Sequence, residues 1–479
     1  MGAGAVGLTL AGRLAQHGAR VTLFEAEPEP RRIGSRAICM QRETLEIWAR
    51  LGVGEGVAER GIQWRVGRTY FRGRQLFEVR LVATHEHFPP FVNISQSEVE
   101  ELLESRLTRL GVDVRRGHRL AALAQDDAGV EATFQAEAGA VTHRFDYLVG
   151  TDGAHSSVRH AAGIAFDGYT FDDRFLIADI RAELPFANER HFHFDPPWNP
   201  GRQVLIHPQP DGVWRVDWQV PPETDADAER DGGGLDRRIR EVIGGATAYE
   251  LVWMTGYRFS QRLAATFREG RVLLAGDAAH VMSPFGARGL NSGVADAENL
   301  AWKLARVLRG RSGDALLDTY DAERREAAIE NLDATDATMR FMAPRGPLRR
   351  AWRNLVLRMA PRSGWFRARV NSGRLAEPAT YAASPLTVPG PDDPSLPRHG
   401  TVAPDAVLAG GGRLRDRFGH GHVVVVATAD PRDTGIGVAP GGPYGTDRAW
   451  LVRPDGYLAD SVALSDRPEL ERLRREAAD

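Results

Sequence analysis

Met1-Gly2-Ala3-Gly4-Ala5-Val6-Gly7 opens the chain with glycines at 2, 4 and 7, and the reading of this stretch decides the fold. A run of helical character from Leu8 to His17 follows, closed by Gly18. Arg20-Val21-Thr22-Leu23-Phe24-Glu25 then reads as a strand ending in an acid. In a GxGxxG turn the first glycine permits a tight bend, the second lets the backbone approach a pyrophosphate, and the third lets helix and strand pack closely. Glu25 stands where a ribose hydroxyl can donate to a carboxylate. Glycine turn, helix, second strand and terminal acid in register point to dinucleotide binding at the head of a Rossmann-like α/β domain. Such a fingerprint ordinarily follows a buried strand of ~5 apolar residues. Here only Met1 precedes it, so the expectation is that the first strand is missing and that the native chain starts upstream of Met1.

A second signature lies far downstream. Gly270-Arg271-Val272-Leu273-Leu274-Ala275-Gly276-Asp277-Ala278-Ala279-His280 is a short apolar strand entering a turn. It continues as Val281-Met282-Ser283-Pro284-Phe285-Gly286-Ala287-Arg288-Gly289-Leu290-Asn291-Ser292-Gly293. A helix is predicted to begin near Val294, with apolar positions at helical spacing through Leu304. Strand, glycine-rich loop and helix start present unpaired backbone N–H groups to an anion or a polar ring edge. A third motif is Tyr147-Leu148-Val149-Gly150-Thr151-Asp152-Gly153-Ala154-His155-Ser156-Ser157-Val158-Arg159.

Together these motifs resemble the class A flavoprotein monooxygenases, the group of p-hydroxybenzoate hydroxylase and the phenol hydroxylases. Gly34-Ser35-Arg36-Ala37, Gln96 ahead of a helix, and the stretch from Asn371 to Leu386 extend the resemblance almost end to end. It implies that FAD is bound and that NAD(P)H is the co-substrate. Gly2, Gly4, Val6 and Gly7 form the pyrophosphate turn, and Glu25 holds the adenosine ribose. Arg36 and Gln96 lie beside the pyrophosphate, and Leu120 lines the adenine pocket. Asp152 belongs to the motif associated with FAD and NAD(P)H, and Asp277 meets the ribityl or pyrophosphate region. Gly289, Leu290 and Asn291 give backbone contacts to the flavin ring, with Pro284 at its reactive face. Plainer roles stay open: a surface ion pair for Arg36, a helix-start cap for Gln96, a turn former in Asp152. His280, His191, His193 and His207 read as structural histidines and Cys39 as an inert buried thiol.

The strand and helix signals alternate up to about residue 65. Helices are predicted over Gln41 to Leu51 and Glu98 to Leu110, followed by a strand at Val112-Asp113-Val114. From about Phe175 to Arg258 the period changes to alternation, as in Val204-Leu205-Ile206-His207 and Val213 to Trp218. This places an FAD-binding domain at 1–65, 96–170 and 258–330, and a mixed-sheet substrate domain at 66–95 and 171–257. A helical segment follows at 331–384. Its arginine-rich stretch, Arg345 to Arg369, reads as a solvated helix face. After the proline-rich linker Pro385 to Pro397, residues 385–479 resemble the thioredoxin-like C-terminal domain of the phenol-hydroxylase branch. Val423 to Val426 and Trp450 to Tyr457 are its strand candidates. Without a Cys-x-x-Cys it carries no disulfide chemistry, and a structural or homodimerisation role is expected.

Bulk properties narrow the class. The 61 basic and 64 acidic residues leave a formal charge of -3, so no footprint for nucleic acid is visible. Lys303 is the single lysine and Cys39 the single cysteine, which leaves no disulfide framework and no cysteine-based metal site. No apolar run approaches the ~18 residues that span a membrane, and the expected address is the cytoplasm.

The resemblance implies a monooxygenase in which NAD(P)H reduces FAD and O2 then yields a C4a-hydroperoxide that hydroxylates an aromatic, phenol-like or polyketide substrate. Tyr257, His193 and Tyr169 are candidates for a group that deprotonates the substrate. A flavin-dependent reductase or oxidase on the same fold, or a non-catalytic flavin-deficient binding protein, are the alternatives. NADH versus NADPH and the substrate itself stay open.

Overall fold

The helix Ala5–Gln16 starts from Gly4, whose extended backbone turns the chain into it. Leu8, Leu10, Ala11 and Leu14 on its inner face are buried, as helical spacing of apolar residues demands. The computed structural model describes residues 1–30, 34, 37–81, 86–186, 188–344, 346–370, 377–391, 393–428, 435–440 and 442–478. Arg36 and residues 371–376 of the stretch that begins at Asn371 lie outside them.

Residues 1–3 run between two parallel strand pairs. Thr22–Phe24 pairs with Asp113–Arg115, and Leu148–Gly150 pairs with Val272–Leu274. The Met1 amine donates to Val149 O at 2.8 Å, Thr151 N to Met1 O at 2.8 Å, and Gly2 N to Phe24 O at 2.7 Å. The two pairs are thus joined through the backbone that leads into the glycine turn. A three-stranded antiparallel sheet, Arg119–Asp126, Gly129–Ala136 and Gly139–Phe145, packs alongside.

An eight-stranded sheet forms the second unit. Its order is His280–Val281, Glu250–Ala264, Phe166–Arg181, Val213–Val220, Gln203–Pro208, Glu189–Phe194, Val66–Phe71 and Arg74–Arg80. Side chains alternate between its faces. Leu176, Ala178, Val216 and Trp218 pack on one face against Leu235 and Ile239 of the helix Gly234–Ile243. Phe175, Phe192, Phe194, Leu205 and Phe259 occupy the other. They meet Phe285 from the loop before residue 288, and Met339, Met342, Val356 and Leu357 from the helices Asp318–Met342 and Pro347–Met359.

The long helix Arg288–Leu308 begins a turn or more before the expected Val294. Glycines at 286, 289 and 293 argue against helix on propensity alone, but tertiary contact overrides them. Ala287, at φ 54°, breaks the chain direction, and the side chain of Asn291 donates back to Ala287 O at 2.6 Å. Other expected helices and strands sit within a few residues of their predicted positions, at Arg42–Leu51, Gln96–Arg109 and Asp113–Arg115. No helix among the described residues is long and apolar enough to cross a membrane.

The C-terminal unit is a four-stranded sheet, in the order Ile436–Val438, Val423–Ala427, Arg448–Val452 and Leu458–Ala463. The helix Arg467–Ala478 covers it through Leu470 and Leu473. Buried ions dock it to the rest. Arg453 and Lys303 both donate to Glu323, at 2.6 and 2.7 Å, and Arg453 also holds Asp455 at 2.6 Å. Arg13 donates to Glu298 and, at 2.9 Å, to Gly419 O. Replacing Glu323 by Ala strands the buried Lys303 and leaves Arg453 with Asp455 alone, and is expected to lower unfolding free energy by about 3–5 kcal/mol. Denaturant unfolding of the variant measures it, and a change under about 0.5 kcal/mol, the scale of an ordinary surface substitution, contradicts the account.

Candidate functional site

The glycine turn has room for a ligand at one place only. A Cβ on Gly2, at φ +102°, would lie 2.5 Å from Thr151 O, and one on Gly7 would lie 1.9 Å from Gly2 O. These two glycines are required by the packing of turn, helix and neighbouring strand end. At Gly4 the nearest atom is Glu100 Oε1, at 3.6 Å, so its missing side chain leaves space for close approach. Val6 fills the gaps left by Gly276 and Gly293, whose own Cβ atoms would come within 3.1 and 2.6 Å of it. The two glycine-rich motifs therefore interlock through Val6.

Polar groups at this turn carry negative charge already. Glu25 accepts from Ala3 N at 2.7 Å and from Glu27 N at 2.9 Å. Glu100, which motif reading missed, accepts from Ala5 N at 3.0 Å and from Gln96 at 2.8 Å. Burial pushes the Glu100 carboxyl up from its ordinary value, against these hydrogen bonds. A carboxylate at this helix start shows that the N–H groups and dipole there take an anion. Gln96 is the first residue of its helix, beside Ser95. Leu120 is buried against Phe24 and Phe134 in the core of this unit.

Asp152 takes hydrogen bonds from Ser156 Oγ, Ser157 N and Val158 N at 2.5, 2.7 and 3.1 Å, and so organises the turn into the short helix Ser157–Ala161. Asp277 is exposed on the second glycine turn, next to Gly276 at φ +63°. That turn is held from beneath. Asp296, wholly buried, accepts from Gly276 N at 2.9 Å, from His280 Nε2 at 2.7 Å and from Arg324 Nε at 2.7 Å. Burial would raise its carboxyl, but His280 and Arg324 outweigh burial and hold it at about 2. His280 is thus a positioning group. Pro284 is exposed and Phe285 buried. Gly289, Leu290 and Asn291 form the first turn of the 288–308 helix, where N–H groups lack intrahelical partners. The Asn291 side chain is committed elsewhere. It accepts from Gln41 N and Thr44 Oγ1 at 2.9 and 2.7 Å and donates to Cys39 O at 2.9 Å.

The three proton-transfer candidates are not brought together. Tyr169 is on the outside and donates to Gln261 at 2.9 Å and Asp336 at 2.5 Å. His193 stacks on Tyr70 at 4.4 Å on the sheet face away from Phe285. It lines a cleft of ≈570 Å³ with Arg68, Trp198 and Glu241, and burial lowers its ring to about 4. Alternation along one strand does not say which of two covered faces meets the cofactor. Of the three, Tyr257 alone is on the face that meets Phe285, edge-on to Phe259 at 5.4 Å. Burial lifts the Cys39 thiol to about 12 against the pull of Arg190, as an inert thiol requires.

Residues 1–335 match the family described as FAD binding domain. The chain is 32% identical over 451 residues to the 3-(3-hydroxy-phenyl)propionate/3-hydroxycinnamic acid hydroxylase of Mycolicibacterium smegmatis, covering 90% of this chain and 77% of the relative. The chain belongs to this family of FAD-dependent monooxygenases. Rifampicin monooxygenase of Streptomyces venezuelae is 35% identical over 348 residues, 72% of this chain and 71% of that one. Among solved structures, a ternary complex of aklavinone-11 hydroxylase with FAD and aklavinone superposes with a TM-score of 0.79 at 25% identity, covering 100% of this chain and 98% of that one. As a family member the chain takes FAD as its cofactor. The space at Gly4 and the anion-accepting start of helix 5–16 fit such a group.

Because the folded Asp296 carboxyl titrates at about 2 and its ordinary value is 3.8, the stability it gives is complete above the ordinary value. That stability, about 2 kcal/mol at 1.36 kcal/mol per pH unit, is lost as pH falls through the folded one. Acid unfolding of the chain and of Asp296→Asn, compared side by side, should converge at the lowest pH. Parallel curves throughout would refute the assignment. Gly7→Ala should lose FAD and unfold at a lower temperature, whereas Gly4→Ala should lose FAD affinity with its unfolding temperature kept.

Proposed function

We propose that the protein is an FAD- and NAD(P)H-dependent aromatic hydroxylase that uses O2 to place a hydroxyl on a phenol-like or polyketide ring. The observation that carries this reading is the contact of Phe285 with Phe175 and Phe259, at ring separations of 6.0 and 5.9 Å. It puts the loop that leads into the helix start at Gly289, Leu290 and Asn291 directly against one face of the eight-stranded sheet. Cofactor loop and substrate face then share one interior, closed from water by aromatic side chains, as an oxygen-transfer reaction needs.

FAD supplies the redox chemistry that couples NAD(P)H oxidation to O2 activation. The chain holds and orients it. Gly2, Gly4 and Gly7 with the start of helix 5–16 take the pyrophosphate, and Glu25 the adenosine ribose. Leu120 walls the adenine, and Gln96 and Asp152 lie along the dinucleotide. Asp277 takes the ribityl region, and the N–H groups of Gly289 to Asn291 meet the flavin ring, with Pro284 at its reactive face. Residues 1–65, 96–170 and 258–330 form the FAD-binding domain in this reading, and 66–95 and 171–257 the substrate domain, followed by the helical segment 331–384. The sheet and covering helix in 385–479 support a thioredoxin-like, non-redox unit with a structural or dimerising role.

The purified chain should show an oxidised-flavin spectrum that bleaches on NADPH or NADH and recovers in air. With a phenolic substrate under 18O2, one labelled oxygen should enter the ring. Reductant consumed with no label in any product would favour a reductase or oxidase, and a colourless protein that FAD does not reconstitute would end the enzymatic reading.

A further inference from the structure

Asp217 stands in the middle of the sheet face that meets the loop carrying Phe285, and among the described residues no hydrogen-bond donor reaches its carboxylate. Strand pairing sets Leu205 opposite it on one side and Ile177 on the other, with Phe192 and Thr255 beyond them. Arg215, two positions back on the same strand, turns its guanidinium to Asp179 instead, at 2.8 and 2.7 Å, and Asp179 also takes Gln209 at 2.9 Å. Asp217 Oδ1 is shielded from solvent yet without a partner, and so is Arg190 Nε. Desolvating a charged oxygen without a donor costs far more than a surface placement. A donor from outside the chain offsets that cost.

The space for one is present. Cys39, Arg190, His207 and Asp217 lie deep in the molecule but keep accessible surface, which is how side chains around an internal cavity behave. One end of this face meets Phe285 of the flavin loop. The other meets Gly34, where a Cβ would come within 2.1 Å of Trp253 Nε1. Arg190, next to Cys39, keeps a positive charge on the same face.

We propose that Asp217 is a specificity-determining residue that accepts a hydrogen bond from a hydroxyl on the substrate ring, so that the cavity selects phenols over ring ethers. This rests on the aromatic-hydroxylase reading and adds a recognition rule to it. Burial pushes the Asp217 carboxyl up to about 7, Arg215 opposing and Asp179 adding to the rise. Beside the Asp179–Arg215 pair and Tyr257, this face carries His207, which burial lowers to about 3, Arg190, lowered to about 10, and Cys39, raised to about 12. None of these three changes charge near neutrality, so an inflection there reports Asp217. The ionised carboxylate is the better acceptor, and phenol binding therefore strengthens as pH rises through about 7.

Calorimetric titration of the FAD-loaded protein with phenol and with anisole tests this. Above neutral pH, phenol should bind at least about tenfold more tightly than anisole, the scale of one hydrogen bond to a charged group. Asp217→Leu should bring the ratio to about one, with FAD content unchanged and thermal stability equal or higher, since an unpaired buried charge has gone. Asp217→Asn, which keeps the shape and a neutral acceptor, should fall between and lose the inflection near neutrality. A wild-type protein without phenol preference, or variants that retain both the preference and the inflection, overturn the proposal. Wild-type protein that holds no FAD would instead defeat the hydroxylase reading, so the two failures are told apart.

Discussion

Three carboxylates buried around the helix Arg288–Leu308 must each find a cation, and that requirement fixes how the chain comes together. Asp296 is met by Arg324 and His280, Glu298 by Arg13 and Arg50, and Glu323 by Lys303 and Arg453. The partners come from the first helix, the helix Arg42–Leu51, the strand His280–Val281, the helix Asp318–Met342 and the C-terminal unit, with Lys303 on the helix Arg288–Leu308 itself. A buried ion pair is a weak source of net stability compared with apolar packing, but removing one partner is severe. These pairs therefore act on geometry: each segment is held in the one place where its charge is needed.

The consequence for the site is direct. Asp296 reaches Gly276 N, so the network under the helix also sets the turn carrying Asp277. Val6 occupies the hollows at Gly276 and Gly293, which ties the first glycine turn to the second with no polar contact. Asn291 then joins the helix start to Cys39 and Gln41. The two glycine turns are thus held together by packing on one side and by buried charge on the other.

Much of this was legible in the sequence where a glycine is the message. Gly2 and Gly7 are spaced as they are because any Cβ there would strike Thr151 or Gly2, and a spacing rule records that clash. The start of the 288–308 helix was not legible, because glycines that argue locally for a loop are kept helical by the contact with Val6 and the Asn291 side chain. Glu100 was invisible because its partner, Ala5, is distant in sequence. The facing of His193 was not legible for a different reason. The residues around it alternate, but both faces of the sheet are covered, one by helix 234–243 and the other by Phe285 and two helices. Alternation fixes that His193 and Phe192 face opposite ways and is silent on which way is toward the cofactor.

The same double covering explains why the polar residues of the inner face matter more than their number suggests. Phe175, Phe192, Phe194, Leu205 and Phe259 make that face strongly apolar, and in such surroundings electrostatic contacts are screened little. Asp179 and Arg215 neutralise one another there, with Gln209 completing the pair. Arg190 and Asp217 are left as opposite charges that do not touch, on strands separated by Gln203–Pro208. A neutral cavity with separated charges binds a polar, polarisable ring across them more favourably than it binds water one molecule at a time, because a single rigid ligand meets both without being ordered twice. In the aromatic-hydroxylase reading proposed above, such a face would favour a ligand that is dry on its faces and polar at its edge, as a phenol is.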